Sequence, residues 1–416
     1  MPRPFKSAAA PLLAALLAAP APAQSAPLPP AGEILRKVEA RIGDPATRAK
    51  LRTLAMRGAI SVPEMPGAAR FEEYWLGADR VLQRVDWSGG AAMTQGTTGA
   101  FSWSTDPALG ITIREGDEQA AVRRQFDLGR RAEWTTLYES AETQDLEEVD
   151  GRDCFKLAMK PRRGDVESWF VDRETHDLRA LETTVPDPTG GTIPVRFVFG
   201  DHREVQGIRF PHLKTMKAGS VAIAYRYESI EPNAALKPEQ VAPPADVLEA
   251  VKDPSKRAQQ APEDPAACRL EELVAQPTLS IRLEIPADQV SRTLAVVLPE
   301  VGGAVAALGA EMTGPPFSRY HRNNGRTIDL EAGIPVKRKV EGKGRVKASE
   351  LPAGRVAVTW HVGPYDSLPK SYARLESWLK AQPLKTRGGY WEIYWTDPGI
   401  EPDPARWRTK VLWPVD

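Results

Sequence analysis

The sequence predicts an α+β chain in two parts: an N-terminal antiparallel half-barrel with helices, then a C-terminal duplicated strand-helix-strand-strand domain. Three observations predict it. From about Met56 to Ile230 short alternating strands follow one another at hairpin spacing. From Glu231 to about Gln276 that periodicity stops among prolines. Beyond it, a strand-helix-strand-strand pattern occurs twice. A length of 416 residues allows two or three domains, and 42% hydrophobic residues can fill ordinary cores.

The first residues read as a leader. Arg3 and Lys6 precede an Ala/Leu-rich run from Ala8 to Ala19, followed by Ala21-Pro22-Ala23. A positive start, an apolar run and a small-x-small site define a signal peptide over 1–23, with Gln24 as the new N-terminus. The run is shorter than the ~20 residues a membrane span needs, and it holds Pro11 and Pro20. No cysteine follows the cleavage site to carry a lipid, and no later segment is expected to insert stably in a membrane. The expected location is the periplasm or the medium.

Residues 31–54 read as helical, broken at Gly43-Asp44-Pro45. The strands that follow carry turn signals at Gly89-Gly90, Asp150-Gly151, Gly190-Gly191 and Gln206-Gly207, interrupted by a helix from Gly116 to Leu128. A long antiparallel meander with few helices predicts a curved sheet closing partly on itself, over residues 31–232. Residues 233–276 read as a Pro-rich linker with a short helix near Ala245–Val251.

In the domain over 277–416, the first copy of the repeat is expected as a strand at Val290–Val297, a helix from about Pro299 to Met312, and strands near Thr327–Leu330 and Arg345–Ala348. The second has a strand at Val356–Val362, a helix at Leu368–Lys380, and strands at Tyr390–Trp395 and Thr409–Val415. In its helix Leu368, Tyr372, Leu375 and Leu379 follow 4-3-4 spacing and form one buried face.

Two resemblances follow from these segments. GAFSWSTDPALG (Gly99–Gly110), VDGRDCFKL (Val149–Leu157), WFVDRETHDLRAL (Trp169–Leu181) and HREVQGIRFP (His202–Pro211) resemble the periplasmic lipoprotein-carrier-like half-barrel family. That resemblance implies an incomplete barrel plugged by helices and, as one alternative, carriage of a lipid or lipoprotein acyl chain. DLEAGIPV (Asp329–Val336), ELPAGRVAVTWHVGPYDSLPKSYARLESWL (Glu350–Leu379), YWEIYWTDP (Tyr390–Pro398) and EPDPARWRTKVLWPV (Glu401–Val415) resemble the effector-binding domain shared by gyrase-inhibitory proteins and multidrug-sensing transcription activators. The regulators in that family join it to a DNA-binding helix-turn-helix. Here a leader and a half-barrel take that place, which argues against transcription control.

Strand alternation puts Glu392 on one face with Tyr390 and Tyr394. Aligning Ile328–Glu331 with Trp391–Tyr394 sets Asp329 opposite Glu392 and Glu331 opposite Tyr394. A carboxylate among aromatic faces suits a small lipophilic cation, each ring adding roughly 0.5–2 kcal/mol. The second resemblance implies a pocket between the repeats with a glutamate at the position of Glu392. It also implies an alternative, since some stand-alone members hydrolyse strained electrophilic toxins with that glutamate activating water. Tyr320, Phe317 and Trp360 are candidate walls, and His361 reads as a hydrogen-bonded structural histidine.

Lys plus Arg equal Asp plus Glu at 55 each, so no overall field recruits nucleic acid, and the six cations between Lys337 and Lys347 read as a solvated surface. There is no P-loop, dinucleotide fingerprint or H-E-x-x-H motif, and neither cysteine has metal-ligand spacing to a partner, so no cofactor or metal is expected. Cys154 and Cys268 either pair in an oxidising compartment or stay as two thiols. N-terminal sequencing of exported protein should start near Gln24. An uncleaved, membrane-bound product would overturn the leader.

Overall fold

The computed structural model describes residues 27–62, 69–86, 92–106, 109–126, 134–186, 192–257, 265–399, 401 and 403–416. The leader and the Gly89-Gly90 and Gly190-Gly191 turn signals lie outside them. Strand outweighs helix, 49% to 25%, as a curled antiparallel sheet with few helices requires.

Helices α1 (Ala31–Ile42) and α2 (Pro45–Ala49) open the chain. The break between them is the expected one, and Asp44 caps α2 by accepting from Thr47 N. Among the described residues one sheet then holds thirteen strands. They are β1 (Thr53–Ser61), β2 (Ala69–Leu76), β3 (Arg80–Asp86), β4 (Met93–Thr97), β5 (Ser102–Asp106), β6 (Gly110–Arg114), β7 (Tyr138–Val149), β8 (Arg152–Pro161), β9 (Glu167–Asp172), β10 (Leu178–Pro186), β11 (Thr192–Val205), β12 (Ile208–Ala218) and β13 (Val221–Pro232). All pairings are antiparallel, and β1 closes onto β13, so the meander folds back on its start. The register shifts between Arg57 and Gly58, where any Cβ on Gly58 would collide with Arg226 O.

Two expected hairpin turns form, Asp150-Gly151 and Gln206-Gly207, each with both residues at positive φ. That is the geometry whose twist matches the flanking strands. Helix α3 (Gly116–Phe126) is the expected interruption, and one turn of helix, α4 (Trp134–Leu137), precedes β7. The concave face is not empty. Ile34, Leu35 and Val38 of α1 pack against Trp169, Leu181, Phe197 and Phe199.

The stretch expected as a linker is partly structured. A 3₁₀ turn at Pro238–Val241 lies on β2 and β3, and α5 (Ala245–Lys252), where the short helix was expected, lies on β6. Val241, Val247 and Ala250 are fully buried.

The second sheet adds β14 (Arg269–Leu273), β15 (Gln276–Pro286), β16 (Phe317–Asn323), β17 (Thr327–Pro335), β18 (Lys347–Leu351), β19 (Gly354–Val362), β20 (Tyr390–Tyr394) and β21 (Arg408–Pro414), in the order β14-β19-β21-β20-β16-β17-β15-β18. Helices α6 (Val290–Ala307) and α7 (Leu368–Lys380) cover it. Cross-strand partners share a face. The row Ala332–Ser318–Glu392–Val411–Thr359 therefore lies on the helical side, with Ala332 in the α6 cluster and Val411 in the α7 cluster. On the opposite side Phe317, Val356, Val358, Trp391 and Leu412 make a separate core.

The second repeat matches expectation, and the first does not. Val290–Val297 is the start of α6 rather than a strand, because Val297, Val301 and Val305 recur at helical spacing and are buried. The strand is β15, further upstream, and β16 was not expected. The stretch Ala287–Ala307 is also long and apolar enough by composition to span a bilayer, against expectation, yet its valine stripe packs on the sheet.

Since α5 is held by apolar burial, Val247→Asp should strand a carboxylate without a partner and cost about 3 kcal/mol. Urea unfolding measures this, and unchanged stability would mean that the segment does not pack on the first sheet.

Candidate functional site

The alternation of β20 places Tyr390, Glu392 and Tyr394 on the helical face, as expected from sequence. The 4-3-4 stripe of α7 sets Tyr372 above them. Glu392 is thereby closed in at 3% exposure. Its carboxyl meets hydroxyls from three elements. Tyr372 of α7 donates to Oε1. Tyr394 donates to Oε2 at 2.6 Å, Tyr320 of β16 at 3.2 Å, and Ser318 stands at 3.4 Å from Oε2 and 2.5 Å from Tyr394 Oη.

Aromatic rings surround this carboxyl. Tyr390 stacks on Tyr320 with centroids 4.8 Å apart, meets Tyr372 edge-on at 5.1 Å, and touches Trp413 at 5.4 Å. Tyr365 meets Tyr394 edge-on at 5.7 Å and Trp407 at 4.8 Å. The rings give apolar contact and negative faces, and the hydroxyls orient the carboxyl.

Burial pushes Glu392 up to about 7, and the hydroxyls of Tyr394, Tyr320 and Ser318 only partly counter it. Glu331 is equally buried and behaves oppositely. Burial raises it too, but bonds from His321, Ser349 and Ser280 prevail and hold it at about 2. His321 Nε2 lies 2.7 Å from Glu331 Oε2, and Ser280 donates to Oε1 at 2.7 Å. One acid is a fixed anion, whereas the other is poised to exchange a proton or meet a cation.

Several expected site residues fall elsewhere. Glu331 pairs across the sheet with Arg319 and Arg282, on the face away from the helices, and Asp329 is two residues along the same face. Asp329 there forms a two-pronged ion pair with Arg282 at 2.7 and 2.8 Å. The cross-strand neighbour of Glu392 is Ser318, not Asp329. Phe317 belongs to the core on that same far side, and Trp360, two residues from Val358 on β19, faces the same way, so neither lines the cage. Tyr320 does. Cys154 is buried in β8, Cys268 lies beside β14, and the two are free thiols. His361 is structural, with Nδ1 3.0 Å from Ser371 Oγ and Nε2 3.1 Å from Pro364 O. Sequence reasoning missed Ser318, Tyr365, Trp413 and the role of Tyr372. Only Tyr372 carried a signal, its place on the buried stripe of α7.

Residues 307–416 match the model of the GyrI-like small molecule binding domain. No curated protein matches the chain. Among solved structures, the EcmrR–DNA complex is similar at 25% identity and a TM-score of 0.33, over 36% of this chain and 57% of that one. The chain thus spans a little over half the length of that relative. The EcmrR C-terminal domain is similar at 24% identity and a TM-score of 0.33, over 36% of this chain and 97% of that one. The neighbours of the N-terminal region include a LolA superfamily protein from Nitrosomonas europaea, at 14% identity and a TM-score of 0.36, over 52% of this chain and 99% of that one.

The raised acid gives a stability prediction. Folding favours the protonated Glu392, so this contribution is complete below pH 4.5 and lost as pH rises through about 7. Glu392→Gln lacks that loss. The stability of the native chain minus that of the variant should fall by ~3 kcal/mol across the window and stay level outside it. Urea unfolding at a series of pH values tests this, and a constant difference would mean that Glu392 titrates as an ordinary surface acid.

Proposed function

We propose that the chain is an exported small-molecule-binding protein whose Glu392 cage takes a lipophilic cation. The observation that carries this reading is a single buried carboxyl, raised to about 7, inside a wall of five tyrosines and two tryptophans. A cation entering this cage supplies the charge that the apolar surroundings lack, so the ionised form is stabilised further when the ligand is present. The rings add cation–π attraction. The leader-like N-terminus supports export, and the GyrI-like domain supports small-molecule binding as the function class.

Two other readings are narrower. A carboxyl near 7 also has the proton affinity of a general base, which keeps open hydrolysis of a strained electrophile at Glu392. The other is carriage of an acyl chain by the N-terminal half-barrel, which rests on the likeness of its segments to the lipoprotein-carrier-like family.

Proton and cation compete for one carboxyl, which fixes the test. Affinity for tetraphenylphosphonium, a permanent cation, should fall about tenfold per pH unit below pH ~7 and level off above it. Affinity for neutral triphenylphosphine oxide should not change with pH. At pH ~8, Glu392→Gln should weaken the cation by about 1–3 kcal/mol and leave the neutral molecule alone. Calorimetry reads both. Equal losses would mean a damaged pocket, and no loss would put Glu392 outside the site. Intact cation binding with loss of hydrolysis would favour the enzyme.

A further inference from the structure

Two features of the second half stand outside the Glu392 cage: an apolar helix face and a run of cations beside it. Helix α6 is apolar enough along its length to span a bilayer, yet only its valine stripe is buried. Its outward positions include Ala295, Val296, Pro299, Gly303, Ala306 and Ala307, all exposed, with Val296 at 61%. Met312, just beyond the helix, is exposed as well. The fold does not require this. Helix α7 covers the same side of the sheet in the second repeat, and it shows solvent Lys370, Glu376, Ser377 and Lys380.

The stretch from Lys337 to Val346, between β17 and β18, runs along the flank of α6. Lys337 pairs with Glu311 at 3.0 Å, and Arg345 donates to Glu300 at 2.9 Å. Val340 and Val346 pack into the α6 core. These contacts join loop and helix into one surface, and they match two of the loop's cations with carboxylates. Arg338, Lys339 and Lys343 remain, all exposed and without a hydrogen bond or ion pair among the described residues, against the one carboxylate of Glu341. On the neighbouring elements Arg292 is matched in number by Asp288, and Lys347 by Glu350. The loop therefore keeps two positive charges in excess beside the apolar face.

We propose that α6 and the Lys337–Val346 loop form a docking face for an anionic phospholipid bilayer. The apolar side chains of α6 enter the boundary below the headgroups, and the loop cations meet the phosphates. Because Val297, Val301 and Val305 stay on the sheet, the helix lies along the membrane and does not cross it. A second copy packed on this face would bring the same cations to the interface again, whereas phosphates neutralise them.

The test is vesicle co-sedimentation of the chain from Gln24 onward, since the leader's own cations and apolar run would bind the same vesicles. With about 30% phosphatidylglycerol in phosphatidylcholine, binding should be at least ~10-fold tighter than to phosphatidylcholine alone, and should weaken as salt rises from ~0.05 to ~0.5 M. Replacing Arg338, Lys339 and Lys343 together by Gln should weaken it at least ~10-fold, each cation near such a surface being worth roughly fivefold. Val296→Gln, at an exposed position that leaves the fold intact, removes apolar contact without changing charge. It should weaken binding roughly threefold or more, and Val296→Leu should preserve it. Equal binding to both kinds of vesicle, or unchanged binding in the triple variant or in Val296→Gln, would overturn the docking face. A dimer seen by light scattering without lipid, and dissociated by Val296→Gln, would overturn it in favour of a second copy.

Discussion

A carboxyl group shut between a sheet and a helix sets the terms for the C-terminal half of this chain. Glu392 sits on the central row of the second sheet, where leucine or valine would pack without penalty. A buried carboxyl needs donors, and they must arrive from several directions. Ser318 and Tyr320 supply them from β16, Tyr394 from β20 and Tyr372 from α7. This requirement ties the register of β16 on β20 to the rotation of α7. A slip of one residue in β20 would send Glu392 into the core of Phe317 and Trp391 and leave the hydroxyls of Ser318, Tyr320 and Tyr372 without their acceptor.

The identity of the donors decides what the acid can do. Glu331 shares the sheet and the degree of burial, but it has an imidazole as well as two serines, and stays ionised. Glu392 has hydroxyls only. These orient it without bringing a compensating positive charge, so burial prevails. Neutral donors around a buried acid leave its charge unmatched, a condition that a bound cation relieves and a structural ion pair would abolish.

What could be read from the sequence depended on how regular each local pattern was. The tyrosine–glutamate face of β20 followed from plain alternation, and α7 from its 4-3-4 stripe. The first repeat broke both rules. Val290–Val297 has the β-branched residues of a strand, and only the recurrence of Val297, Val301 and Val305 on one side marks it as helix. The run in β16 is hard to read because the register shifts between Tyr320 and Arg322, which brings Arg322 as well as His321 to the face of Asp329 and Glu331. Because β16 lies between β17 and β20, a direct alignment of β17 with β20 puts Asp329 and Glu331 on the wrong side of the sheet. An error of one position in a strand inverts every inward and outward assignment. Ser318 and Trp413 had no sequence signal, because their role depends on which strands become neighbours.

The two oxygens of Glu392 are held in different ways, and that asymmetry bears on how a ligand reaches it. Oε2 is bound by Ser318, Tyr320 and Tyr394, all carried on sheet strands. Among the described residues, Oε1 is bound by Tyr372 alone, from the helix. Moving a sheet donor would disturb a strand ladder on both sides, whereas moving Tyr372 needs a side-chain rotation or a small shift of α7. Of the four donors, Tyr372 is therefore the one that can leave the carboxyl without breaking a strand ladder. The phenol that leaves Oε1 also leaves its edge-on contact with Tyr390, so the vacated space is bounded by the stacked Tyr320–Tyr390 pair and Trp413. Under the proposed reading, a cation in that space would meet Oε1 and the ring faces together, while Oε2 stays anchored. The sheet fixes where the charge is, and the helix governs whether it can be reached.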